Sequence, residues 1–124
     1  MFTKAEAFVS FAVSDVDEAR DFYGSTLGLN TSDGPEGLLV LHIEGSRDVM
    51  VYPKPDHAPA TYTVLNFPVE DVEQAVDALA EMGVTFERYE GFDQDERGIM
   101  RGGGPLIAWF RDPAGNILSV VKPD

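Results

Sequence analysis

The chain alternates short apolar strands with amphipathic helical stretches, and it does so twice. Phe8 to Val13 reads as a strand, with Phe8, Ser10 and Ala12 on one face and Val9, Phe11 and Val13 on the other. Asp15 follows as a helix cap, with Glu18 at the third helical position to complete a capping box. Val16, Ala19, Tyr23 and Leu27, with Phe22 beside them, fall at helical spacing and form one apolar stripe. Gly28 is suited to end that helix in the left-handed conformation. Leu29 to Asp33, Leu38 to Ile43 and Val49 to Tyr52 then read as short strands of an antiparallel meander. Pro53, Pro55 and Pro59 lack the N–H that a central strand needs, so the stretch around them is a linker.

After the linker the pattern restarts. Phe11, Val13, Asp15, Val16, Ala19 and Asp21 recur at one constant offset as Phe67, Val69, Asp71, Val72, Ala75 and Asp77. The second helix is capped in the same way, by Asp71 with Gln74, and stops at Gly83. Cap, stripe and stop in the same order point to an internal duplication. Val84 to Tyr89 is the next expected strand. Glu90 to Pro105 is a long connection, acidic and then glycine-rich, which reads either as a functional lid or as a flexible hairpin tip. Leu106 to Phe110 and Ile117 to Val121 close the unit around Asp112-Pro113-Ala114-Gly115. That sequence fits a type I turn, with Pro fixing φ and Asp able to bond the turn backbone. Each half is therefore βαβββ, and the class is α+β: an eight-stranded mixed sheet with two helices. The expected boundaries are 1–53 for module one, 54–60 for the linker and 61–124 for module two, within one domain.

Hydrophobic residues make up 44% of the chain, enough for a packed core, so disorder is excluded. The net charge of −13 argues against nucleic acid and anionic membranes as partners. The absence of cysteine excludes disulfides, thiolate metal sites and a cysteine nucleophile. With no apolar signal run and no stretch of membrane-spanning length, a cytoplasmic location is expected. Gly98 to Gly104 has neither the G-x-G-x-x-G spacing nor a P-loop lysine, and no G-x-S-x-G occurs.

A duplicated βαβββ unit with Val-x-Asp-Val-x-x-Ala-x-x-Phe-Tyr early and Asp-Pro-Ala-Gly-Asn late resembles the vicinal oxygen chelate superfamily. That superfamily includes glyoxalase I, bleomycin-resistance proteins, fosfomycin-resistance enzymes and extradiol dioxygenases. The resemblance implies that each module curls into half of an open barrel around a cavity, and that the protein is a homodimer. It also implies where a metal enzyme of this kind carries His or Glu. Those places here hold Phe8, Val64, Ser119 and about Val51, or Met50 if the register slips by one. Phe and Val offer no donor atom, and Ser is a poor neutral ligand for a divalent transition metal. No cofactor is therefore expected and no metal at the inherited places. His42 with Glu44 on one strand face, and His57 in the linker, are the material for a relocated site.

Strand parity puts Phe8, Ser10, Ala12, Val64, Asn66, Pro68, Ile117, Ser119 and Val121 toward the cavity. Phe11, Val13, Phe67, Val69, Leu118 and Val120 then fall under the helices. A mostly apolar cavity with Ser10, Asn66 and Ser119 suits an organic ligand held by shape and a few hydrogen bonds. Trp109, Tyr52, Tyr62 and Phe92 are candidates to stack on a planar ligand. Arg97 and Arg101 sit among acidic residues and suit surface salt bridges, though Arg101 beside flexible glycines could also close on an anionic group. Glu96 is the nearby candidate for a general base.

The expected ligand-binding set is therefore Phe8, Ser10, Tyr52, Asn66, Phe92, Arg101, Trp109 and Ser119, with no catalytic residue assigned. The leading expectation is a metal-independent protein that binds or sequesters a small organic molecule, neutral or cationic, such as an antibiotic or metabolite. The alternatives are a glyoxalase-like lyase, isomerase or dioxygenase-like enzyme with a relocated metal or none, and a scaffold with a vestigial cavity.

Overall fold

The computed structural model describes residues 1–123. Among the described residues, seven strands and two α-helices form two compact units, Met1–His57 and the part from Ala58 onward.

In the first unit, β1 (Val9–Val13), α1 (Val16–Asp21), β2 (Asn30–Asp33), β3 (Leu39–His42) and β4 (Val49–Pro53) build a sheet of order β1-β4-β3-β2. β1 runs parallel to β4, and the other neighbours are antiparallel, so the sheet is mixed. Phe11, Val13, Leu39, Leu41, Val49 and Val51 are buried, and Ala19 and Tyr23 supply the helical side of this core. The opposite parity leaves Phe8 62% exposed, with Ser10 and Tyr52 also exposed. Asp15 caps α1 as expected, its Oδ1 accepting from the N–H groups of Asp17 (2.9 Å) and Glu18 (3.3 Å). The helix departs from the expected length: after Asp21 it widens into a π-helical turn over Phe22–Thr26. The Leu27 N–H reaches five residues back, to the Phe22 carbonyl. Gly24, Ser25 and Thr26 are weak α-formers, and the wider turn still buries Tyr23 completely.

The second unit contains β5 (Thr63–Pro68), α2 (Val72–Glu81), β6 (Leu106–Arg111) and β7 (Ile117–Lys122), in the sheet order β5-β7-β6. It too is mixed, with β5 parallel and β6 antiparallel to β7. Val72 and Val76 of α2 are buried together with Ala108, Phe110, Leu118 and Val120. The Asp71 side chain accepts from the Gln74 N–H at 3.0 Å, the same cap as in the first unit. The turn before β7 has the expected chemistry. Asp112 is buried and its Oδ1 accepts from the Ala114 and Asn116 N–H groups, each at 2.9 Å. Gly115 closes the turn at φ 89°, and a Cβ there would sit 3.1 Å from Pro59 Cγ, so only glycine fits.

Two expectations are corrected. The strands form sheets of four and three rather than one sheet of eight, while the absence of closure agrees with the expected open arrangement. The missing strand is 84–89, where only Phe86 makes a bridge, to Phe110. The cause is Gln94, whose side-chain amide donates to the Glu87 carbonyl (2.9 Å) and accepts from the Tyr89 N–H (2.8 Å). A side chain thus takes over backbone groups that a ladder would have used. The second correction is a bulge in β5. Thr63 pairs with Ile117 but Leu65 already pairs with Leu118, so the extra residue shifts the alternation. Thr63 and Asn66 therefore share a face, although simple parity separates them.

Candidate ligand-binding site

One face of the second sheet carries Trp109, directly opposite Ser119, with Asn66 beside Ser119 on β5. The bulge brings Thr63 onto that face, where its Oγ1 accepts from Trp109 Nε1 at 3.1 Å. This bond fixes the indole at one edge. Tyr89 and Phe92 hold it from the other side, and the three rings form a closed set. Their centroids are 5.4 Å apart for Tyr89–Trp109, 5.4 Å for Phe92–Trp109 and 5.6 Å for Tyr89–Phe92, with steep interplanar angles. Edge-to-face rings attract through their quadrupoles, so the cluster is rigid as well as apolar. With Thr61, Tyr62, Thr63 and Ile117 they line a hollow of about 270 Å³.

The segment carrying Tyr89 and Phe92 is folded down rather than loose. Ile99 is fully buried, Met100 pairs with both Gln94 and Ile107, and Gln94 Nε2 also donates to the Gly98 carbonyl at 2.8 Å. Asp95 accepts from the N–H groups of Arg97 and Ile99 and from Arg101 Nε, each at 2.9 Å. Burial works against ionisation of Asp95, but Arg101 and the two N–H groups win and hold its carboxyl below the usual range. Arg97 reaches Glu73 (3.0 Å) and Asp77 (3.1 Å) on α2, and Arg101 reaches Glu73 at 3.4 Å. The glycine-rich connection is thus clipped onto α2 by ion pairs.

The Tyr89 hydroxyl oxygen is buried and has no partner among the described residues. Burial pushes its acidity down, raising the pKa, with Glu87 adding to the effect and Arg111 opposing it. The phenol therefore stays protonated in neutral solution. On the same sheet face, Ser119 Oγ donates to Asn66 Oδ1 at 2.5 Å.

Of the expected ligand-binding residues, Phe92 and Trp109 come together here, while Asn66 and Ser119 bond one another on the same sheet face. Arg101 is engaged by Asp95 and Glu73. Ser10 and Tyr52 belong to the first unit's sheet, and Phe8 immediately precedes its first strand. Tyr89 was missed because its segment reads as a strand, and Thr63 because the bulge is invisible to alternation. The signal that would have found Tyr89 is its place three residues before Phe92 at the start of the long connection.

The inherited metal positions are chemically unsuited to a metal ion. Pairing of Ser10 with Met50, and of its repeat counterpart Asn66 with Ser119, makes Met50 rather than Val51 the equivalent of Ser119. Phe8 and Val64 are hydrocarbon, Met50 offers a thioether, and the Ser119 hydroxyl is engaged by Asn66. Among the described residues no three His, Asp or Glu side chains are gathered to hold a metal ion. His42 bonds Ser32 and Asp48, not Glu44 or His57. No helix among the described residues is long and apolar enough to cross a membrane.

The chain belongs to the Glyoxalase/Bleomycin resistance protein/Dioxygenase superfamily, whose model matches residues 7–120. Among solved structures it is similar to TnmS3, an antibiotic-binding protein from Streptomyces sp. CB03234. That likeness has 25% identity and a TM-score of 0.76, covering 100% of this chain and 99% of that one. It is also similar to a glyoxalase/bleomycin resistance protein from the same organism, at 25% identity and TM-score 0.69, covering 95% and 100%. A putative glyoxalase family protein from Bacillus anthracis shares the fold at 18% identity and TM-score 0.75, covering 100% and 98%. No curated protein matches the chain.

Proposed function

We propose that this protein binds a small planar organic molecule, neutral or cationic, without a metal, and that the aromatic hollow of the second unit is its seat. The observation that carries this reading is the ring set of Trp109, Tyr89 and Phe92 in the wall of a hollow of about 270 Å³. Flat apolar walls reward a flat ligand, and at about 25 cal/mol per Å² their burial alone supplies useful affinity. Asn66 has its amide N–H groups left over for a polar contact, because Ser119 occupies its carbonyl oxygen. The net charge of −13 and the electron-rich ring faces both favour a cation over an anion.

An antibiotic-binding relative of nearly the same length supports a binding or resistance role over turnover. So does the mismatch between the inherited ligand positions and any metal. Exposed Phe2, Phe8 and Val9 on the first unit favour a homodimer, for which a monomeric mass at micromolar concentration would be the contrary result. Calorimetry with 9-aminoacridine as a planar cation and 1-naphthalenesulfonate as a planar anion tests the ligand class. The cation should bind one to one, equally before and after EDTA dialysis, and the anion more weakly. Stoichiometric zinc, nickel, manganese or iron in purified protein, whose removal abolishes binding, would overturn the metal-free reading.

A further inference from the structure

On the face of the first unit's sheet opposite Leu39, Leu41, Val49 and Val51, three side chains line up, from β2, from β3 and from the linker before β4. Ser32 Oγ on β2 lies 2.7 Å from His42 Nε2 on β3, and His42 Nδ1 lies 3.0 Å from Asp48 Oδ1. The register makes this possible. Asn30 pairs with His42 and Ser32 with Val40, so Ser32 and His42 are diagonal neighbours on one face. Asp48 stands one step beyond the Leu41–Val49 pair, across from His42. An ionised carboxylate can only accept, so Asp48 fixes the neutral imidazole as the Nδ1–H tautomer. Nε2 is then the acceptor for the Ser32 hydroxyl. The order hydroxyl, imidazole, carboxylate is that of an activated nucleophile with its base and the group that orients the base.

The surroundings supply two further requirements. The His42 and Asp48 side chains are 42% and 48% exposed, so a substrate reaches the centre directly. β2 is the outer strand of its sheet. The Gly34 N–H donates to the Leu38 carbonyl, which places the even-numbered residues of β2 in the hydrogen-bonded pairs. The Asp33 N–H therefore points out from the sheet edge, immediately after the serine, where it can donate to a developing oxyanion. The centre is separate from the aromatic hollow and does not depend on the reading given to it.

We propose that Ser32, His42 and Asp48 form a nucleophilic centre that accepts acyl groups from small carboxylic esters with good leaving groups. Ser32 Oγ bonds to the ester carbonyl carbon while its proton passes to His42 Nε2. The ester C–O bond then breaks and His42 returns the proton to the departing alcohol. Water, giving a proton to the same Nε2, adds to the acyl carbon. The bond to Oγ breaks, the proton returns to Ser32, and a carboxylic acid leaves. The sum is ester and water to acid and alcohol. The open, wet setting and the single outward backbone donor suit activated esters rather than amides.

The test uses the full chain with p-nitrophenyl acetate and, separately, an alkyl fluorophosphonate, followed by peptide mass spectrometry. Ser32 should carry the acetyl and phosphonyl adducts. Acylation should fall about 100-fold in Ser32→Ala and in His42→Gln, the scale of losing a nucleophile's general base, with Asp48→Asn between them and the native protein. A lone imidazole also attacks p-nitrophenyl acetate. An unchanged rate in Ser32→Ala with acetyl on His42 would therefore overturn the proposal. Equal phosphonylation in His42→Gln, or no adduct on Ser32 in the native protein, would overturn it too. All three side chains lie at the surface, so circular dichroism should show folded variants, and the native adduct stands as evidence whatever the variants do.

Discussion

The two units repeat one pattern, and their sheets can be laid side by side residue by residue. Ser10 pairs with Met50 as Asn66 pairs with Ser119, and Val40 faces Met50 as Trp109 faces Ser119. The caps Asp15 and Asp71 are alike. The units part company in what joins the strands. In the first, five residues from Gly34 to Leu38 link β2 to β3, the counterpart of β6, and Val40 stands opposite Met50. In the second, a long connection precedes β6 and folds Tyr89 and Phe92 against Trp109, creating an apolar hollow where the first unit has none of these rings. What repeats between the units is the part whose physics is local, the caps and alternating strands. Chemistry has diverged in the loops and in one strand position.

The comparison can be broken most forcefully at the core. Phe110 is fully buried and packs edge-on against Phe86 at 5.7 Å. Phe110→Ala should cost about 3–5 kcal/mol in urea unfolding, as large cavity mutations do. A loss below about 1 kcal/mol would mean that the second unit does not rest on this ring.

Next in size is the contrast between Trp109 and its counterpart Val40. Trp109→Ala should weaken 9-aminoacridine binding about 30-fold, close to 2 kcal/mol, as loss of an aromatic anchor does. Val40→Ala should leave that affinity unchanged. Equal effects at the two positions would dissolve the distinction between the sheets.

The caps offer a symmetric check. Asp15→Ala and Asp71→Ala should each destabilise by about 1 kcal/mol, because each removes the acceptor of first-turn N–H groups. A marked inequality in thermal unfolding would show that the two caps are not equivalent.

The smallest effect expected is at the clip that holds the long connection. The Asp95 pKa is lowered from 3.8, so its stabilising contribution is fully present above that value and is lost as pH falls through the depressed one. Protection of the Ile99 N–H against hydrogen exchange should fall below about pH 4. Protection unchanged down to full protonation of Asp95 would remove the clip from the account. Arg97→Ala should cost about 1 kcal/mol or less at neutral pH, since its partners are half exposed.

These results bear on how far the sequence could be read. The duplication, both caps, the Asp112 turn and the buried set Phe11, Val13, Leu118 and Val120 follow from local patterning. That patterning decides them because each uses neighbours only a few residues away. The bulge at Thr63–Leu65 breaks strand parity and cannot be seen in alternation, so nothing in the sequence places Thr63 on the face of Asn66. The capture of Glu87 and Tyr89 by Gln94 is a contact made by one side chain, and it removed a strand that propensity favoured. His42 suggested Glu44 as a partner by simple spacing. The sheet register instead delivered Asp48 from across the turn and Ser32 from the next strand. Phe92 and Trp109 were legible as aromatics near a rim. The hollow they form required the fold of the long connection.

Trp109 is the chain's single tryptophan and stands in the wall of the hollow, so its emission reports on that site alone. Titrating EDTA-dialysed protein with 9-aminoacridine while following this emission should give saturable one-to-one quenching, lost in Phe92→Ala and retained in Tyr52→Ala. Emission that does not saturate, or that responds only after a divalent metal is restored, would contradict a metal-free ligand seat in the second unit.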